Sequence, residues 1–263
     1  MRALRRVCAV LAAGSALAVM AACGSQPTEN ASGEAQPAGK KVVAATTWEA
    51  AYAKAAGAEN VQIIVPSSVH HAADYDPKPS DLAAVADADI VLYAPFEGFV
   101  GKLRDAGGSK AQLVEMQLDN SPENVRAQVS NLAGMLGTHD KAELWLHDFD
   151  KTVQDVSGRM RAAWPNGKPP RVVAQAYVTY IAQLAGADVV GTYGPQPVTP
   201  AQLADLSAKQ PDLVLDNAHM STGPVLPGSP AKQVSLINYP EENLDLLDVY
   251  RTDAQRIVEA LRP

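Results

Sequence analysis

His70-His71-Ala72-Ala73-Asp74-Tyr75-Asp76-Pro77-Lys78-Pro79-Ser80-Asp81 is the stretch on which the reading of this chain turns. It follows a strand-like run, Val61-Gln62-Ile63-Ile64-Val65, that Pro66 stops. Ser80 can cap a helix running through Ala86, with Asp81 favourable in its first turn. Asp74, Asp76 and Asp81 then read as loop hydrogen bonds and helix capping. His70 and His71 sit just upstream, as a solvated surface pair or as two imidazoles placed in an irregular loop for use.

Outward from this loop, strands and helices alternate. Val42-Val43-Ala44-Ala45 reads as a buried strand. Thr46 or Thr47 caps an alanine-rich helix over residues 48–56 that Gly57 ends. Residues 90–93 and 112–115 read as strands, with a helix over 97–104 between them. Residues 122–164 carry no strand signal. Val125, Val129, Leu132, Ala133 and Leu136 recur at helical spacing, and Leu144, Leu146, Phe149, Val153, Val156 and Met160 continue the pattern. This predicts one long helical span, with Gly137-Thr138 as a possible break. Alternation resumes with strands over 171–175, 213–216 and 234–237. Helices are predicted over 177–185, from Thr199-Pro200 through 209, and over 241–262. The expected fold is α/β: two lobes, each with a mainly parallel sheet flanked by helices, joined by a long rigid helix.

The start of the chain has a different character. Arg2, Arg5 and Arg6 precede an apolar stretch over residues 7–22, which is short for a membrane span of about 20 residues. Met20-Ala21-Ala22-Cys23-Gly24 follows. A basic, then apolar, then small-residue order ending at cysteine predicts a bacterial lipoprotein signal at 1–22, with Cys23 as the lipidated residue. Residues 23–40 are then a lipidated cysteine and flexible tether. Cys8, the other of only two cysteines, leaves with the signal, so neither a disulfide framework nor a thiolate metal site is available. The net charge of -7 argues against a nucleic-acid surface. The expected division is an N-terminal lobe at 41–120, a linking helical segment at 121–165 and a C-terminal lobe at 166–263.

Asp-Tyr-Asp-Pro-Lys-Pro-Ser-Asp-Leu (74–82), leading into Ala-Asp-Ala-Asp-Ile-Val-Leu-Tyr (86–93), resembles the zinc/manganese-type solute-binding proteins of ABC importers, solute-binding protein family 9, cluster A-I. Ser-Pro-Glu-Asn-Val (121–125), the lipoprotein signal and the two-lobe order agree with it. The resemblance covers the chain from about Lys41 onward. It implies an extracytoplasmic, membrane-anchored receptor that pinches Zn2+ or Mn2+ between its lobes, as cargo rather than catalytic cofactor. It also implies an ABC permease as partner, and a monomer is expected. This chain departs from the family at the ligand positions. Ala73 stands where the loop histidine would be. Glu115 aligns with the position before the linking helix, Gln175 with the first strand of the second lobe, and Asn238 with the late aspartate.

Other residues could rebuild the site. His70, His71, Glu115, Asp216 and His219 supply imidazoles and carboxylates, chemistry that suits zinc or manganese. Asp216 and His219 follow a strand of the second lobe, and strand C-terminal ends face the crevice in such folds. His139 and His147 fall in the long helical span and read as solvated. The competing reading is the same scaffold with the metal site lost, binding another small polar solute or acting as an accessory lipoprotein. Thr46, Trp48, Gln175, Tyr180 and Asn238 would then line the cleft. An enzyme is a third class, but there is no Gly-x-Ser-x-Gly elbow, phosphate loop or zinc-hydrolase helix spacing to support one.

Overall fold

The computed structural model describes residues 39–69 and 72–262. The first sheet holds β1 (Val42–Ala44), β2 (Val61–Ile63), β3 (Ile90–Tyr93) and β4 (Gln112–Glu115), in the order β2-β1-β3-β4. Every pair is parallel, with Val42 opposite both Val61 and Ile90. Parallel neighbours need crossover connections. They are made through α1 (Thr47–Ala55), α2 (Pro79–Asp87) and α3 (Val100–Gly107). All residues of β1 and β3 are buried, as expected of central strands covered on both faces.

Two helices follow, α4 (Pro122–Leu136) and α5 (His139–Ala162). The expected single helical span is therefore a helical hairpin. Gly137 adopts φ 74° and ψ 31°, a left-handed conformation that ends α4 at low steric cost. Arg126 pairs with Asp150, which places the two helices side by side and antiparallel. The 24 residues of α5 extend about 36 Å at 1.5 Å per residue. It is the long helix that joins the lobes. At its first-lobe end Lys141 pairs with Glu59, and at its second-lobe end Ser157 Oγ donates to the Leu184 carbonyl at 2.9 Å.

The second sheet repeats the first. β5 (Arg171–Gln175), β6 (Asp188–Tyr193), β7 (Leu213–Asn217) and β8 (Lys232–Leu236) lie in the order β6-β5-β7-β8, again all parallel. Helices α6 (Thr179–Leu184), α7 (Pro200–Ala208) and α8 (Leu246–Leu261) complete the lobe. One apolar core runs through both lobes, from Val42 and Leu92 through Tyr52, Val129 and Phe149 to Tyr250, Leu215 and Leu236. Smaller clusters cover the outer face of each sheet. A continuous core of this kind opposes free hinging, because interiors are close-packed and transmit strain.

Local differences from the sequence reading have local causes. β6 was not expected: Gly191 interrupts its apolar run and a register shift opposes it between Val172 and Val173. The helix at Pro79 is capped by the Lys78 position, whose N–H donates to Asp81 Oδ2 at 2.8 Å, so Asp81 rather than Ser80 closes the first turn. The closing helix begins at Leu246, where Asp245 accepts from the Leu247 N–H. Among the described residues, no helix is long and apolar enough to cross a membrane.

Candidate functional site

In each sheet the strand order reverses direction beside β1 or β5. Such a switch point leaves a crevice beyond the carboxyl ends of the strands. A cavity of about 200 Å³ lies where the residues after these strands meet. Thr46 and Trp48 follow β1, Phe96 follows β3, Tyr177 follows β5, His219 follows β7, and Asn238 and Tyr239 follow β8.

The first lobe presents a closely tied wall. Thr46 caps α1: its Oγ1 accepts from the Trp48 N–H at 3.2 Å, while Glu49 accepts from the Thr46 N–H at 3.0 Å and from its hydroxyl. Behind it lie the buried Glu49 and Glu97 carboxyls, near enough to interact electrostatically, and Glu97 Oε2 accepts from the Ala94 N–H at 3.0 Å. Burial raises both, and the Glu49 charge helps push Glu97 up to about 9. The pair therefore holds a proton at neutral pH. Trp48 Nε1–H donates to Asn120 Oδ1 at 3.0 Å. Asn120 in turn donates to the Asn238 carbonyl, and Tyr250 donates to the Asn120 carbonyl. This fully buried asparagine thus ties α1 to the second lobe.

The second lobe supplies the polar groups. The turn after β7 is closed by Asn217 Oδ1, which accepts from the His219 N–H at 2.9 Å. His219 Nδ1 and Asn238 Oδ1 share a hydrogen bond at 2.8 Å. That bond and the Asn217 contact fix the orientation of the imidazole in the cleft wall. Tyr239 stacks on the His219 ring at 3.7 Å and 10°. Trp48 lies 5.5 Å from Tyr239 and edge-on to Tyr177 at 6.3 Å.

Of the residues expected from sequence, Thr46, Trp48, His219 and Asn238 meet at this cleft. Asp74, assigned a loop role from sequence, also lines it. Asp81 does have its expected structural role, accepting from Lys78 N–H and Tyr75 O–H, and Asp76 pairs with Lys102. Glu115, Asp216 and Gln175 are not brought to the cleft, and strand parity explains all three. Leu213 and Leu215 of β7 face the shared core while Val214 faces the outer cluster, so Asp216 follows Val214 outward. There its carboxylate accepts from Tyr193 O–H, Ser221 O–H and Gln233 Nε2–H. Gln175 follows Val173 to the same outer pocket, about 250 Å³ in volume, and caps the next turn by accepting from the Tyr177 N–H. Glu115 follows Leu113 to the outer face of the first sheet and is exposed. Tyr180 packs edge-on to Tyr250 and donates to Asp253, in the interior rather than the cleft. Among the described residues, no three His, Cys, Asp or Glu side chains group as a metal would need. His70, His71 and Cys23 lie outside the described residues. The residues that sequence reasoning missed are Asp74, Asn120 and Tyr239. Asp74 follows His71 by three residues in the sequence, a signal that capping logic masked.

No family model and no curated protein matches the sequence. Solved structures do. Laminin-binding protein Lmb of Streptococcus agalactiae, described as a bifunctional protein with adhesin and metal transporting activity, matches at TM-score 0.66 and 17% identity, over 85% of this chain and 100% of that one. The SBP FpvC of P. aeruginosa in complex with a nickel ion matches at TM-score 0.66 and 14% identity, over 84% and 96%. A deletion mutant of ZnuA with zinc bound matches at TM-score 0.64 and 17% identity, over 86% and 99%. The chain therefore has the two-lobed α/β fold of these proteins, as the resemblance of residues 74–93 implied.

Proposed function

We propose that this chain is an extracytoplasmic solute-binding protein that carries a divalent metal ion, zinc or manganese, to the permease of an ABC importer. It is a carrier and not an enzyme, held at the membrane through lipid on Cys23. The observation that carries this reading is His219: an imidazole at the interlobe cleft, held in orientation by Asn238, on a fold shared with structures holding zinc and nickel. The remaining ligands are assigned to the opposite wall. Val69, Ala72 and Asp74 line the cleft there, and His70 and His71 fall between Val69 and Ala72 in the sequence. Two or three imidazoles with one carboxylate form a competent set for either metal. Asp216 and Glu115 have no part in it.

Equilibrium dialysis of the purified chain against zinc and against manganese tests the proposal. One ion retained per chain, with a rise in melting temperature from mass action, is expected. Retention of neither ion, with no thermal shift, rejects it in favour of the competing reading, a small organic solute bound by the same cleft.

A further inference from the structure

The second lobe has a cavity of its own, on the face of its sheet turned away from the shared core. It holds about 250 Å³, below the roughly 300–1,000 Å³ of a drug-sized site, so it suits a metabolite-sized molecule. It lies at the carboxyl ends of β5, β6 and β7, where Gln175, Tyr193 and Asp216 line it. The chain passes from β6 across β5 to β7, and such a switch point is where α/β sheets bind ligands. Two buried polar side chains reach this cavity with bonding capacity left over. Asp216 is 3% exposed. Its Oδ1 accepts from the Tyr193 O–H at 2.7 Å, and its Oδ2 from the Ser221 O–H at 2.5 Å and Gln233 Nε2–H at 3.0 Å. Three of about four acceptor positions are filled, all by neutral donors, and one on Oδ1 is open. No lysine or arginine pairs with Asp216 among the described residues. Gln175 is equally buried. Its Oε1 is committed to the Tyr177 N–H at 2.7 Å, and its Nε2 meets only the Met220 sulfur at 3.8 Å, a weak acceptor. Pro195, Pro197, Pro224, Pro227, Val198 and Leu203 make most of the remaining wall apolar, and the fixed φ of proline keeps its shape.

We propose that this outer cavity binds a small primary amine that also carries a carbonyl oxygen, at a site separate from the metal cleft. The ammonium donates to Asp216 Oδ1 and supplies the counter-charge that the buried carboxylate lacks. The carbonyl accepts from Gln175 Nε2, which a sulfur alone serves poorly, and the aliphatic body lies on the proline wall. A guanidinium fits less well, because its fork needs both carboxylate oxygens and Oδ2 is already filled. The Asp216 charge excludes anions. This site goes beyond the metal-carrier reading and stands if that reading fails.

The test uses the full chain in detergent, with isotope-labelled methionine methyl groups followed by NMR. Valinamide is the probe. N-acetylvalinamide, which has no ammonium, and isobutylamine, which has no carbonyl, are its controls. The Met220 methyl group at the cavity wall reports binding, and its signal is assigned by its loss in Met220→Leu. Valinamide should shift that signal saturably, with N-acetylvalinamide at least about tenfold weaker and isobutylamine at least about threefold weaker. Asp216→Asn keeps the shape of the side chain and should abolish the preference for valinamide over its acetylated form. Met220 also borders the metal cleft, so a second variant separates the two places. Val198→Trp, which fills the outer cavity from a half-buried position and leaves Asp216 intact, should remove the saturable shift. Absence of a saturable shift up to about 20 mM valinamide overturns the proposal. Equal affinity for valinamide and either control overturns it as well, and so does unchanged valinamide affinity in Asp216→Asn or in Val198→Trp.

Discussion

The two lobes share a strand order and differ in what they place at the switch point. In the first sheet the residues beyond β1 and β3 are Thr46, Trp48 and Phe96, backed by a buried Glu49–Glu97 carboxyl pair. In the second, the residues beyond β7 and β8 are His219, Asn238 and Tyr239, joined by an imidazole–amide hydrogen bond and a ring stack. The first lobe thus gives an apolar wall with the Asp74 carboxylate at its edge, and the second gives an oriented imidazole. Topology fixes where a crevice forms, while the few residues after each strand decide its chemistry.

Cutting the tie between the lobes should have the largest effect. Asn120→Ala would strand the Trp48 indole N–H and the Asn238 carbonyl in a buried site, a loss of about 2–4 kcal/mol in urea unfolding. A loss below about 1 kcal/mol would mean that the lobes are held by the shared core alone. Next, Asn238→Leu removes the group that orients His219 and should weaken metal binding about 10–100-fold in competition titrations. Trp48→Phe should change bare-metal affinity less than about threefold, since the first-lobe wall supplies no donor from this position. Equal losses in the two variants would break the division of labour between the lobes.

The carboxyl pair gives the first lobe a pH signature. Burial, then the Glu49 charge, raises Glu97 from the ordinary 4.5 to about 9 in the folded state. Stability from its held proton is complete below about pH 4.5 and is lost as pH rises through about 9. Melting temperature should therefore fall from pH 5 to pH 9, and Glu97→Gln should flatten the fall and be the more stable protein at pH 9. Asp253 in the second lobe is raised by burial to about 7, so slope below pH 7 should survive in that variant. A Glu97→Gln profile parallel to the parent would show that the pair does not hold a proton. The smallest effect belongs to Asp76→Asn. Its ion pair with Lys102 is solvent-exposed, and melting should shift by less than about 2 °C.

Much of this architecture is legible from the chain. The apolar runs at 42–45, 90–93, 171–175 and 213–216 mark the four central strands, because strands buried on both faces carry uninterrupted apolar residues. The edge strand β6 was not legible, since Gly191 and partial exposure dilute its signal. The hairpin of α4 and α5 differs from a single helix only through the left-handed Gly137. At the site, His219, Asn238, Thr46 and Trp48 follow from their places after strands. Asp216, Gln175 and Glu115 do not, because a one-residue parity decides which face a strand side chain takes. The family resemblance placed Glu115 and Gln175 at the cleft, and the end of its strand placed Asp216 there; the pleat turns all three outward.

Metal-edge X-ray absorption on the zinc-loaded protein tests most directly whether His219 coordinates a divalent metal in the interlobe cleft. Imidazole scattering with zinc–nitrogen distances of about 2.0–2.1 Å is expected, reduced by one imidazole or lost with the metal in His219→Ala. A zinc-loaded His219→Ala protein with an unchanged imidazole shell and unchanged affinity would contradict it.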